Sequence, residues 1–97
     1  MRIVARNMLD DCVRRHAGAR NAFLDWIASV GGAEWRNPAD VRAGRWNPSI
    51  ISGNRVVFRL RGNRYRIIAE IDYGNRLVLV RFAGTHAEYD KINAETV

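Results

Sequence analysis

The stretch from residue 55 to 83 limits the fold more than any other part of this chain. Residues 55–61 alternate, with Val56, Phe58 and Leu60 on one side and Arg59 and Arg61 on the other, the period of a half-buried strand. Gly62-Asn63 predicts a two-residue hairpin turn, because glycine reaches positive φ without a Cβ clash. The returning strand over 64–72 sends Tyr65, Ile67, Ala69 and Ile71 inward and Arg64, Arg66, Ile68 and Glu70 outward. Gly74-Asn75 turns the chain again, and a strand over 76–83 carries Val78, Val80 and Phe82 inward and Leu77, Leu79 and Arg81 outward. Three such strands make an antiparallel sheet with one apolar face, and that face needs a cover.

The first third of the chain supplies it. Residues 2–5 read as a short strand. Met8, Leu9, Cys12, Val13 and His16 then form one stripe of a helix over about 7–16, ended by Gly18. A second helix over 20–30 carries Phe23, Trp26, Ile27 and Val30 at i, i+3, i+4 and i+7, and Gly31-Gly32 stops it. This aromatic stripe reads as core. The segment 33–54 is irregular: Asn37 caps a short helix begun by Pro38 and running to about Ala43, and Gly44, Asn47, Pro48, Ser49, Ser52, Gly53 and Asn54 then mark a loop. The fold class expected is α+β, two N-terminal helices on a small, mostly antiparallel sheet with a short C-terminal helix or turn.

At 97 residues the chain is expected to be a single domain, 1–97, with one modest core. No apolar run approaches the ~20 residues of a membrane span, and Met1-Arg2-Ile3-Val4-Ala5-Arg6 has no apolar signal region behind it, so a cytoplasmic protein is expected. The lone Cys12 can form neither an internal disulfide nor a cysteine metal cluster, and the two histidines, Cys12 and scattered acids show no metal-ligand spacing.

The net charge is +6, and every cation but Lys91 is arginine, whose flat fork of donors suits phosphates and bases. Arg55, Arg59, Arg61, Arg64 and Arg66 fall in one stretch without an acid, whereas Asp10, Asp11, Asp25, Glu34 and Asp40 lie in the first half. A one-signed field of this kind concentrates polyanions. At the end of the basic sheet stands Gly84-Thr85-His86-Ala87-Glu88-Tyr89-Asp90-Lys91, with a histidine beside a tyrosine and a lysine. Histidine exchanges protons near neutral pH, so the pairing points to acid–base chemistry on a phosphodiester.

Four fragments, in order, carry a family resemblance: Asn37-Pro38-Ala39-Asp40-Val41, Asn54-Arg55-Val56-Val57-Phe58, Gly62-Asn63-Arg64-Tyr65-Arg66 and the closing Gly84–Lys91 motif. With them the chain resembles HigB-type toxins of the RelE/ParE-like toxin–antitoxin superfamily, over nearly its whole length. The resemblance implies a RelE-like fold and a small cytoplasmic endoribonuclease, an mRNA interferase that cuts mRNA in the ribosomal A site and inhibits translation. It also implies ribosomal RNA as a contact, a HigA-type helix-turn-helix antitoxin as partner, operator DNA reached only through that antitoxin, and neither a metal nor another cofactor. The chemistry implied is attack of the RNA 2′-OH on its own phosphate, with acid–base assistance typically worth ~10²–10⁴-fold.

On that reading His86 is the general acid or base; the plainer alternative is a loop histidine packed on the strand end. Tyr89 either exchanges a proton, stacks on a base or fixes the C-terminal turn. Arg81 and Arg66, pointing out from adjoining strands, are the expected phosphate clamps, while Arg59, Arg61, Arg64 and Lys91 are expected to grip RNA. His16 reads as a packed or half-exposed helix residue. Two other functions compete: a ParE-like toxin that binds DNA gyrase without catalysis, and a simple RNA-binding module. The His86/Tyr89 motif argues against the first, and the lack of outward aromatics on the sheet argues against the second. The antitoxin is expected either to cover the arginines or to brace the loop around 44–54.

Overall fold

In a computed structural model that describes residues 1–97, the sheet has five strands in the order β1-β5-β4-β3-β2. They are β1 (Arg2–Val4), β2 (Ser49–Ile51), β3 (Arg55–Leu60), β4 (Tyr65–Asp72) and β5 (Leu77–Thr85). The meander β3-β4-β5 is antiparallel, β2 adds to it antiparallel along β3, and only β1 runs parallel to its neighbour, pairing Ile3 with Val78.

The helices are α1 (Asn7–Arg15), α2 (Arg20–Gly31), α3 (Pro38–Arg42) and α4 (His86–Tyr89), with a 3₁₀ turn at Ala17–Ala19. In α1 the buried residues are Leu9 and Cys12, one turn apart, and Arg14 and Arg15 occupy the last turn, where cations favour the helix dipole. In α2 the buried stripe is Phe23, Trp26 and Val30. Helix α3 starts as its sequence predicts, the Asn37 side chain accepting from the Asp40 N–H at 3.1 Å.

The core lies between these helices and one face of the sheet. Trp26 meets Phe58 edge to face at 5.4 Å, Trp35 stacks on the same ring at 6.0 Å, and Phe23 meets Tyr65 at 6.0 Å. Burial of an aromatic or large aliphatic side chain contributes roughly 1.5–3 kcal/mol, so these contacts are what seat α2 on β3 and β4. Burial in the same core pushes the Cys12 thiol up to about 11, against the opposing pull of Arg15, leaving a thiol that stays protonated. No helix is long and apolar enough to cross a membrane.

The structure corrects the sequence reading in four places. The expected loop 44–54 contains β2, held by pairs such as Ile50 with Val56. The first hairpin loop has four residues, not two: Leu60 pairs with Tyr65, and Arg61, Gly62 and Asn63 all have positive φ. Strand β5 carries a β-bulge, in which Ile68 pairs with Phe82 but Ala69 pairs with Val80, so Arg81 is the extra residue. A one-residue insertion reverses the alternation. Phe82, expected inward, therefore stands beside Ile68 on the outer face, and Ala83 takes its place in the core.

The fourth correction concerns that outer face, which is not open. Arg55, Val57, Arg66 and Ile68 on it are all buried. Residues near the C-terminal end lie across it: Arg55 Nη1 donates to the main-chain oxygens of Ala94 (3.1 Å) and Val97 (2.7 Å), and Arg81 Nε donates to Val97 at 3.3 Å.

Candidate active site

Extending past the bulge, β5 delivers Thr85 to the start of α4. Thr85 and Glu88, with His86 and Ala87 between them, form a reciprocal cap: the Thr85 hydroxyl accepts from the Glu88 N–H at 3.2 Å, and the Glu88 carboxylate accepts from the Thr85 N–H at 2.8 Å. A four-residue helix has almost no stability of its own, so this cap and its tertiary partners hold it. Glu88 also pairs with Arg15, and its Oε1 lies 3.2 Å from His16 Nε2 at the end of α1. Burial pushes the Glu88 carboxyl up, but the Thr85 N–H, His16 and Arg15 together hold it below the usual glutamate range.

Helix α4 presents His86 and Tyr89 one turn apart, which puts them on one side of it. His86 is half exposed, its main-chain N–H donates to Arg64 O at 3.0 Å, and its Nδ1 lies 3.4 Å from the Asp90 carboxylate. Asp90 thus orients the ring through Nδ1 and leaves Nε2 as the free nitrogen. The Tyr89 ring lies edge to face with Phe82, at 6.4 Å, and under the Arg66 guanidinium, at 4.3 Å. Arg66 is only 8% exposed; its Nε and Nη2 both donate to Asn63 Oδ1, at 3.1 and 2.8 Å, leaving Nη1 without a protein partner. A guanidinium held by a ring face and an amide oxygen is preorganised, with one N–H₂ group left to meet an anion.

Gly84 makes room for this packing. It pairs with Arg66 across the sheet, and a Cβ there would come within 2.7 Å of Phe82 Cζ and 2.8 Å of Glu88 Oε1.

His86 lines an open depression of about 770 Å³ with Arg61, Gly62, Asn63, Arg64, Thr85 and Ala87. A second one, of about 510 Å³, shares Gly62 and Asn63 with it and is otherwise lined by Arg45, Trp46, Asn47 and Arg59. The hairpin tip therefore borders both depressions, the two halves of a basic groove interrupted at the tip.

Of the residues singled out in the sequence, His86, Tyr89, Arg66, Arg61 and Arg64 gather at this end of the sheet. Arg61, expected on β3, sits in the turn with Nη1 3.3 Å from Gly18 O, and Arg64 is exposed. Arg59 lines the second half, where its Nη1 donates to Asn47 O (2.9 Å) and Ser49 Oγ (2.8 Å), so one arm of its fork is occupied by the loop. Arg81, at the bulge, turns toward Val97 O and shares no depression with His86. Lys91 is exposed beyond α4. Sequence reasoning missed Asn63, Glu88, Asp90 and His16 as members of the arrangement. The Thr85-x-x-Glu88 spacing was a legible capping signal, whereas the roles of Asn63 and His16 depend on contacts to Arg66 and Glu88 that only folding creates.

Comparison with known proteins gives two matches. A family model described as HigB toxin, the RelE-like toxic component of a toxin–antitoxin system, matches residues 19–92, a span that includes all of β2–β5 and α4. An mRNA interferase HigB from Escherichia coli O6:H1 is 24% identical over 94 residues, which cover 95% of this chain and 91% of that protein.

Proposed function

The chain belongs to the HigB-type, RelE-like toxins of toxin–antitoxin systems, and from that membership we propose that it is an mRNA-cleaving endoribonuclease acting in the ribosomal A site. The observation that carries this reading is the placement of His86, Tyr89 and the preorganised Arg66 at one end of the sheet, where His86 lines a depression with Arg61 and Arg64. The relative named mRNA interferase supports the substrate class.

Cleavage proceeds by attack of the 2′-oxygen on the adjacent phosphorus. The 2′-OH proton passes to the base, the bond to the 5′-oxygen breaks, and that oxygen takes a proton from the acid, leaving a 2′,3′-cyclic phosphate and a 5′-hydroxyl. His86 and Tyr89 divide these two transfers between them. Arg66 Nη1 faces the charge that builds on the phosphoryl oxygens, a contribution that costs typically 10²–10³ in rate when removed from comparable sites. Arg61 and Arg64 hold the strand beside it, and the protein partner is an antitoxin that blocks this surface.

The test is cleavage of a defined mRNA on programmed ribosomes, with mapped ends, by the wild type and His86→Ala. Codon-phased cuts that fall by at least 10²-fold in the folded variant are expected. A wild type that leaves the mRNA whole overturns the proposal, and an active His86→Ala removes His86 from the chemistry.

A further inference from the structure

The second half of the groove holds a group of residues that the cleavage chemistry leaves unused. Arg45 lies over the Trp46 ring, its Cζ 4.1 Å from the centroid. Asp25, on α2, engages the edge of the same guanidinium through two parallel bonds, Nη2 to Oδ2 at 2.8 Å and Nη1 to Oδ1 at 3.2 Å. The hydrogen bond from Arg45 holds the Asp25 carboxyl below its ordinary range, so the pair stays charged at neutral pH. The Arg45 and Asp25 side chains nevertheless remain 59% and 51% exposed.

These contacts leave the guanidinium an unusual set of surfaces. Its donor edge is taken and its charge offset by Asp25, which makes it a poor phosphate clamp. One side of the group is covered by Trp46, and both residues line the depression, where much of the Arg45 side chain stays exposed. The main chain beneath is held firmly: Trp46 and Asn47 have φ of 80° and 43°, and their carbonyl oxygens accept from the Arg59 main-chain N–H and Nη1, both at 2.9 Å. A fixed planar cation on an aromatic ring, with one free face, is suited to stacking on a nucleobase.

We infer that Asp25, Arg45 and Trp46 form a stacking platform for an unpaired base of the RNA, one or two nucleotides from the phosphate held beside His86. The inference rests on the ribonuclease reading, and it adds a substrate subsite to it. The Gly62-Asn63 tip lines both depressions, so a strand with a phosphate beside Arg64 and His86 reaches this one across the tip. Stacking tolerates any base, so the platform raises affinity for single-stranded RNA and fixes its path without setting a sequence.

The experiment uses an mRNA on programmed ribosomes in which single nucleotides flanking the cut are replaced, one at a time, by abasic residues. With the wild type, loss of one particular base is expected to slow cleavage about tenfold, a typical loss for one stacked base. Arg45→Ala and Arg45→Lys are each expected to slow the intact mRNA by a similar factor and to show no further loss on that abasic mRNA. The lysine keeps the charge but not the plane. Multiplying penalties, or full activity of Arg45→Lys, would overturn the platform. An inactive wild type on intact mRNA would instead refute the ribonuclease reading. Unfolding curves for both variants locate any general damage from loss of the tie to α2, which would slow intact and abasic mRNA by equal factors and so also count against the platform.

Discussion

At the scale of single residues, the site depends on side chains that each do two things. Tyr89 closes the outer face against Phe82 and supports Arg66 from below, and it also offers a phenol one helical turn from His86. Tyr89→Phe separates these roles because it keeps the ring. Unfolding free energy is expected to stay within ~0.5 kcal/mol of the wild type, and single-turnover cleavage to fall by ~10² or more if the phenol carries a proton. Unchanged cleavage would restrict Tyr89 to packing. Arg66 shows how far neighbours alter a surface expectation. Its outward position was readable from strand alternation, but not its burial, because Asn63 and Tyr89 come from a turn and a helix outside the strand.

At the scale of elements, α4 is too short to persist without its cap and the hold of α1 on Glu88. Glu88→Ala removes the return half of the capping box and the partner of Arg15 and His16 together. A loss of ~1 kcal/mol is expected from the cap alone, measured by urea unfolding, together with reduced cleavage as His86 loses its fixed position. The pH dependence follows from the direction of the Glu88 shift. Its carboxyl is held below the usual glutamate value of ~4.3 in the folded chain, so its contribution is complete above that value. It is lost as pH falls through the folded value. Between pH 5 and pH 3 the wild type should therefore lose more stability than Glu88→Gln; parallel losses would show that Glu88 carries no such linkage.

Across the whole molecule, acids and arginines are sorted to different regions. On the helical side Asp11 pairs with Arg14 and Arg15, and Asp25 pairs with Arg45. Around the hairpin tip, Arg61 and Arg64 have no acidic partner, and Arg66 is held by an amide and an aromatic ring instead of a carboxylate. Two arginines without an acidic partner, Arg61 and Arg64, thus stand beside His86. Association with RNA should weaken steeply with salt, each phosphate contact adding ~0.7 to the slope of log K against log salt for a single strand. Arg61→Ala combined with Arg64→Ala is expected to flatten that slope by about 1.4, twice the single-contact value. An unchanged slope would place the RNA elsewhere.

Apart from β2, the order of strands and helices, the helix stripes, the cap of α3 and the identity of the closing motif were legible in the chain, because each depends on spacing within a few residues. The bulge was not, since one unpaired residue in β5 is defined only by what faces it in β4, and it decided where Phe82 and Ala83 point. Strand β2 was hidden for a similar reason: three residues among turn formers become a strand only when β3 offers them its edge. The sequence by itself determined the residue types at the candidate site and the sign of its charge. Tertiary structure alone decided that Tyr89 lies under Arg66, that α1 holds Glu88, and that Asp25 ties Arg45 down beside Trp46, because those contacts join segments far apart in the chain.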